Sequence, residues 1–87
     1  MSDDTLFEFP CDFPIKIVGL AGDDFKQLAQ KIVTKHVGEL TEDQVTSRPS
    51  RDGKYLSLTI TFRADSRAQI DQLYSDLTSQ DQILMVL

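Results

Sequence analysis

Along Leu56, Leu58, Ile60 and Phe62, apolar side chains alternate with Ser57, Thr59, Thr61 and Arg63, the period of a strand with one buried face. Upstream, Asp52-Gly53 between Arg51 and Lys54 predicts a two-residue hairpin loop. Such a loop sets Arg51 opposite Lys54 and, counting outward, Pro49 opposite Leu56, Ser47 opposite Leu58 and Val45 opposite Ile60. Opposed residues share a sheet face, so Val45 joins the apolar side without adjustment. Earlier in the chain, Ile15 to Leu20 predicts another strand, with Ile15 and Ile17 on one face and Lys16 and Val18 on the other.

Two stretches change to a period of three or four. Phe25, Leu28, Ala29, Ile32, Val33 and His36 form one apolar stripe, predicting a helix with Asp24 as N-cap, Gln27 completing a capping box and Gly38 just past its end. Ile70, Leu73, Tyr74 and Leu77 form a second stripe, opened by Ser66 with Gln69 three residues on. The final run, Ile83 to Leu87, is continuous and apolar, as expected of a strand covered on at least part of both faces.

The order is therefore βαββαβ. Two right-handed crossovers joined by a hairpin predict an α+β, ferredoxin-like domain: a four-stranded antiparallel sheet in the order 4-1-3-2, with both helices on one face. Residues 54–64 then lie inside the sheet and residues 44–50 at an edge, where Pro49 is tolerated. Residues 1–12 read as an extended lead-in to a single domain at 13–87, because two closely spaced prolines and acidic spacers oppose a helix. Leu6, Phe7, Phe9 and Phe13 are expected to pin this lead-in across the domain.

At 87 residues the chain can bury a core without metal or disulfide. Its net charge of −5 opposes non-specific binding to nucleic acid or to anionic membrane. The charge is uneven, however. Residues 48–67 hold five of the nine basic residues (Arg48, Arg51, Lys54, Arg63, Arg67) against Asp52 and Asp65, a local +3 around the hairpin. Cys11 is the single cysteine, there is no signal-peptide pattern at the start, and no apolar run approaches the roughly 20 residues of a membrane span. The expected location is the cytoplasm.

Candidate chemistry is sparse. His36 sits on an apolar stripe near a helix C-terminus, where an imidazole serves packing and the helix dipole. A metal site would need more His or Cys ligands than Cys11 supplies, and Asp12 beside Cys11 disfavours its thiolate. No acid/base pair stands out, so neither catalytic residues nor a cofactor are expected. Gly19-Leu20-Ala21-Gly22 lacks the spacing of a dinucleotide fingerprint and the lysine of a phosphate loop, so turn geometry accounts for its glycines, although such a loop borders the open end between sheet and helix. The sheet face away from the helices should display Lys16, Val18, Thr46, Arg48, Tyr55, Ser57, Thr59, Thr61 and Arg63. RNA-binding domains of this topology stack bases on aromatics in the central strands, and here only Tyr55 is aromatic. The face is thus expected to be solvated, to form a homodimer contact, or to recognise an acidic protein or small anion through Lys16, Arg48 and Arg63.

The segments FEFPCDFPIKIVG at 7–19, RPSRDGKYLSLTI at 48–60 and ILMVL at 83–87 resemble the YbeD-like family of small uncharacterised bacterial proteins, and the resemblance covers almost the whole chain. It implies a ferredoxin-like domain similar to the ACT regulatory domains that bind amino acids, and a bacterial origin. It implies no catalytic residues. The expected function is a non-enzymatic regulatory or binding module acting through a protein partner or an amino-acid-like metabolite, with Gly19, Gly22, Asp23, Lys16, Arg48, Tyr55 and Arg63 as candidate contacts. The alternative, drawn from the genomic association of that family with lipoate-attachment genes, is a small accessory enzyme or carrier in lipoate metabolism.

Overall fold

The structure is a computed structural model and describes residues 8–87. Its elements are β1 (Cys11–Leu20), α1 (Asp23–Val37), β2 (Val45–Pro49), β3 (Tyr55–Ala64), α2 (Arg67–Thr78) and β4 (Ile83–Val86), with a single 3₁₀ turn at Glu42–Gln44 leading into β2. The sheet order is β2-β3-β1-β4 with every pairing antiparallel, the 4-1-3-2 arrangement read from the pattern. Val45, Ser47 and Pro49 face Ile60, Leu58 and Leu56 as expected.

The core lies between one sheet face and the two helices. Ile15 and Ile17 of β1, Leu58, Ile60, Phe62 and Ala64 of β3, and Ile83 of β4 supply the sheet side. Phe25, Ala29, Ile32 and Val33 of α1 meet them with Ile70, Leu73 and Leu77 of α2. Each fully buried aliphatic side chain contributes about 1.5–3 kcal/mol by leaving water. Phe9 and Phe13 pack against this cluster, and the Phe13 and Phe62 rings lie 5.8 Å apart. The other half of the expected pin, Leu6 and Phe7, lies outside the described residues.

Four local expectations need correction. First, β1 begins at Cys11 rather than Ile15, so the strand takes in the end of the lead-in as well as Phe13 and Pro14. Pro14 is accommodated because β4 pairs only from Lys16 onward. The Lys16 N–H donates to the Leu87 carbonyl at 3.1 Å. Pro14, two residues before, therefore turns its donor-less nitrogen to the same side, past the end of β4.

Second, α1 starts at Asp23, with Gly22 at its N-cap (φ 155°) and no side-chain cap, so Asp24 and Gln27 form no capping box. The Ala21 N–H is held by the Lys54 carbonyl at 2.9 Å, leaving one residue to turn the chain into the helix. A positive φ at that residue favours glycine.

Third, the hairpin loop is longer than two residues. Ser50 and Tyr55 close it: the Ser50 N–H donates to the Tyr55 carbonyl (2.8 Å), and the Tyr55 N–H donates to Ser50 Oγ (3.0 Å). A two-residue type I′ loop requires positive φ at both central residues, and only Gly53 (φ 74°) has it. Asp52 instead accepts from the Lys54 N–H (3.0 Å) and the Ser50 hydroxyl (2.7 Å). The register survives because the longer loop encloses Arg51 and Lys54 symmetrically.

Fourth, β4 is not covered on both faces. Ile83 is buried, but Leu84, Met85 and Leu87 are each more than half exposed.

Candidate functional site

With both helices on one side, the opposite face of the sheet is open, and the strand register lays out its side chains as a grid. At one end Arg63 stands opposite Asp12 and pairs with it at 3.5 Å. Exposed on both sides, this ion pair contributes at most about 1 kcal/mol. It occupies Arg63, which is thereby separated from the other candidate cations.

In the middle of the face, Lys16 on β1 stands opposite Thr59, and Thr59 stands opposite Thr46 on β2. One step along, Ser57 lies between Val18 on β1 and Arg48 on β2. Two cations from different strands thus straddle a central strand that offers only hydroxyls. Neighbouring strands are about 4.8 Å apart, so the Cα atoms of Lys16 and Arg48 are roughly 12 Å apart, close enough for both long side chains to reach one small group. Among the described residues neither cation has a carboxylate partner.

Two clefts adjoin here. One of about 260 Å³ is lined by Lys16, Thr46, Arg48, Ser57 and Thr59. The other, about 200 Å³, shares Lys16, Arg48 and Ser57 and continues onto Val18, Pro49, Ser50 and Tyr55. No acidic residue lines either one. Lys54 lies over the Tyr55 ring, 5.5 Å from its centroid, and adds a third positive charge beside the clefts. Along the β1–β4 side the face becomes apolar, with Leu20, Met85 and Leu87 exposed near Val18.

The loop candidates fall elsewhere. Gly22 and Asp23 line a cavity of about 350 Å³ at the start of α1, together with Leu20, Ala21, Asp24, Phe25, Asp81, Gln82 and Leu84. Gly19 does not line it, because its Cα points into the core against Phe25. The structure therefore divides the seven candidates into a cationic group (Lys16, Arg48, Tyr55), a loop group (Gly22, Asp23), a paired arginine (Arg63) and a packing glycine (Gly19).

The pattern of the chain also missed residues. Ser50 reaches the cationic cleft because the hairpin loop is longer than its Asp-Gly signal suggests. A third cavity of about 340 Å³, between α1 and the connection into β2, is lined by Lys26, Gln30, Thr34, Leu40, Thr41, Glu42 and Val45. Nothing in the periodicity announces it, since its walls are the outer side of a helix and an irregular segment.

Of the chemistry-bearing residues, Cys11 is half-buried at the start of β1. The His36 ring is engaged by the Asp76 carboxylate at 2.9 Å. The described residues contain no cluster of three or more His, Cys, Asp or Glu able to hold a metal, and none of their helices is long and apolar enough to cross a membrane.

A family model described as "Protein of unknown function (DUF493)" matches residues 4–87. Among curated relatives, the chain is 46% identical over 84 residues to a "UPF0250 protein" of Janthinobacterium sp. (strain Marseille), covering 97% of this chain and 92% of the relative. It is 41% identical to a "UPF0250 protein" of Nitrosomonas europaea over the full length of both, and 34% identical to one of Neisseria gonorrhoeae over 95% of this chain and 91% of the other. A similar fold occurs in the solution structure of protein HP0495 from H. pylori, with a TM-score of 0.73 over 93% of this chain and 85% of that one, at 9% identity. That last likeness is one of fold alone.

Proposed function

Because the chain belongs to the DUF493 family of proteins of unknown function, we propose its role from the site itself: a cytoplasmic, non-enzymatic binding module that regulates through what docks on its open sheet face. The partner is a protein or small metabolite presenting negative charge. The observation that carries this reading is the pair Lys16 and Arg48, which flank Ser57 and Thr59 without a carboxylate between them. Arg63, by contrast, is paired with Asp12 at the end of the same face.

The test is affinity capture from the native cell, comparing the wild type with a Lys16→Glu/Arg48→Glu variant of unchanged fold. Proteins or metabolites retained by the wild type should be lost from the variant. An identical set retained by both overturns the reading.

A second reading is favoured by the cavity at the start of α1. The helix has no side-chain cap there, so its first N–H groups remain available to a carboxylate, and Asp23, Asp24 and Asp81 line the cavity where an ammonium group would sit. This fits an amino-acid-like ligand, as the resemblance to ACT regulatory domains implies. Calorimetric titration with the common amino acids tests it: saturable heat that disappears in Gly22→Val supports it, and the absence of heat with all of them removes it.

A further inference from the structure

Two features of the open face narrow the class of its ligand. The first is charge and donor number. Lys16 and Arg48 together present two fixed positive charges to one space, with an ammonium, a planar guanidinium fork and the hydroxyls of Ser57 and Thr59 all able to donate. Among the described residues the Ser57 and Thr59 hydroxyls make no hydrogen bond and Lys16 and Arg48 no ion pair, so all four groups are available to a ligand. A carboxylate carries one charge on two oxygens. The Arg48 fork alone satisfies it, leaving Lys16 unmatched. A phosphate monoester above its second pKa of about 6 carries close to two charges on three terminal oxygens, matching both cations and leaving an oxygen for the hydroxyls.

The second feature is the asymmetry of the space. On one side the cleft is walled by hydroxyls, whereas on the other it continues into the space of about 200 Å³ that Val18, Pro49 and Tyr55 share with Lys16, Arg48, Ser50 and Ser57. Inorganic phosphate has nothing to place there, but the organic part of an ester does. Building on the open-face reading above, we infer that the cleft between Lys16 and Arg48 is a binding site for a phosphate monoester whose organic group lies against Val18 and Tyr55.

Phenyl phosphate is the probe. Isotope-labelled protein is titrated at pH 7.5 while backbone amide shifts are followed, with inorganic phosphate and benzoate as controls. The inference expects saturable shifts centred on Lys16, Arg48, Tyr55 and Ser57, and binding about tenfold tighter than either control. Lys16→Gln and Arg48→Gln should each weaken it by about tenfold. Tyr55→Ala should erase the advantage over inorganic phosphate while leaving inorganic phosphate unchanged. A short peptide carrying phosphotyrosine between alanines identifies the source: tighter binding than phenyl phosphate assigns the ester to a protein, and weaker binding assigns it to a free metabolite. Shifts centred elsewhere, benzoate binding as tightly as phenyl phosphate, or undiminished binding in the Lys16→Gln/Arg48→Gln double variant overturns the inference. If phenyl phosphate fails while capture from the cell still depends on Lys16 and Arg48, the monoester is wrong and the open-face reading stands. The converse result keeps the monoester site and removes the broader reading.

Discussion

A β-carbon on Gly19 would overlap the edge of the Phe25 ring and stand 2.7 Å from the Gln82 carbonyl oxygen. The absence of a side chain at Gly19 is thus what lets the first turn of α1 and the approach to β4 close over the end of β1. Gly19→Ala should destabilise the fold by about 1–3 kcal/mol through overpacking. The urea midpoint should fall with an unchanged m-value. Shrinking the ring with Phe25→Leu in the same chain should recover part of the loss, because the ring contacts are relieved and the backbone contact is not. Purely additive losses in the double variant would contradict this account.

The second helix depends on one hydroxyl and one amide. Ser66 Oγ accepts from the Gln69 N–H at 3.1 Å. The Gln69 side chain accepts from the Asp65 N–H at 2.8 Å and donates to the His36 carbonyl at 3.0 Å. Ser66→Ala should cost about 1 kcal/mol. Gln69→Ala releases a carbonyl at the end of α1 as well as an N–H before α2, so its effect should reach both helices. Amide exchange at Val37 and Gly38 should accelerate in this variant, and not in Ser66→Ala.

Acid sensitivity should pass through the contact between the helices. The His36 hydrogen bond, and then the charge of Lys35, hold the Asp76 carboxyl below its ordinary range against the opposing effect of desolvation. A carboxyl whose folded pKa lies below its unfolded one contributes stability that is present above the unfolded value and lost as pH falls through the folded one. The unfolding free energies of the wild type and Asp76→Asn should therefore differ above the ordinary carboxyl value of 3.8 and converge as pH drops below it. Denaturant titrations from pH 7 down to about 2.5 measure this. A gap that widens as pH falls below 3.8 would reverse the sign assigned to the pair.

At the hairpin, Gly53 has a φ of 74° with open space where a β-carbon would point, so the cost of Gly53→Ala is conformational only. It should be about 1 kcal/mol. Gly53→Asn should cost less, since Asn tolerates a positive φ better than Ala. Thermal unfolding of the two variants gives the comparison directly.

How much of this was legible in the chain depended on the range of the physics. The β2–β3 register follows from parity, and parity survives a change in loop length that keeps the loop symmetric, so Val45 faces Ile60 although the turn is not the two-residue one. The Ile70, Leu73 and Leu77 stripe was equally plain, because burial against a sheet demands that spacing. The start of β1 was hidden because a proline normally ends a strand, and whether Pro14 is tolerated depends on where β4 stops, which is a tertiary fact. The start of α1 was hidden because Asp24 and Gln27 make a capping signature that the Ala21–Lys54 hydrogen bond pre-empts. In the candidate site, Lys16 and Arg48 were readable as sharing a face. That Arg63 is drawn off by Asp12 was not, because the cross-strand partner of Arg63 depends on how far β1 extends.

The two long central strands, β1 and β3, pair over ten residue pairs running from Cys11 with Ala64 to Leu20 with Tyr55. The partners lie far apart in the chain, with α1 and β2 between them. The β2–β3 hairpin can form locally, whereas β1 has to be captured by β3 from across α1 and β2, and β4 pairs with β1. Capture must close a long loop before any contact rewards it, a cost that governs rate more than final stability. Folding should therefore be slower than the microseconds open to helical bundles, in the range between those and all-β domains that mixed folds occupy. Changes at the β1–β3 seam should slow folding, whereas changes in β4, a short edge strand paired with β1, should chiefly speed unfolding.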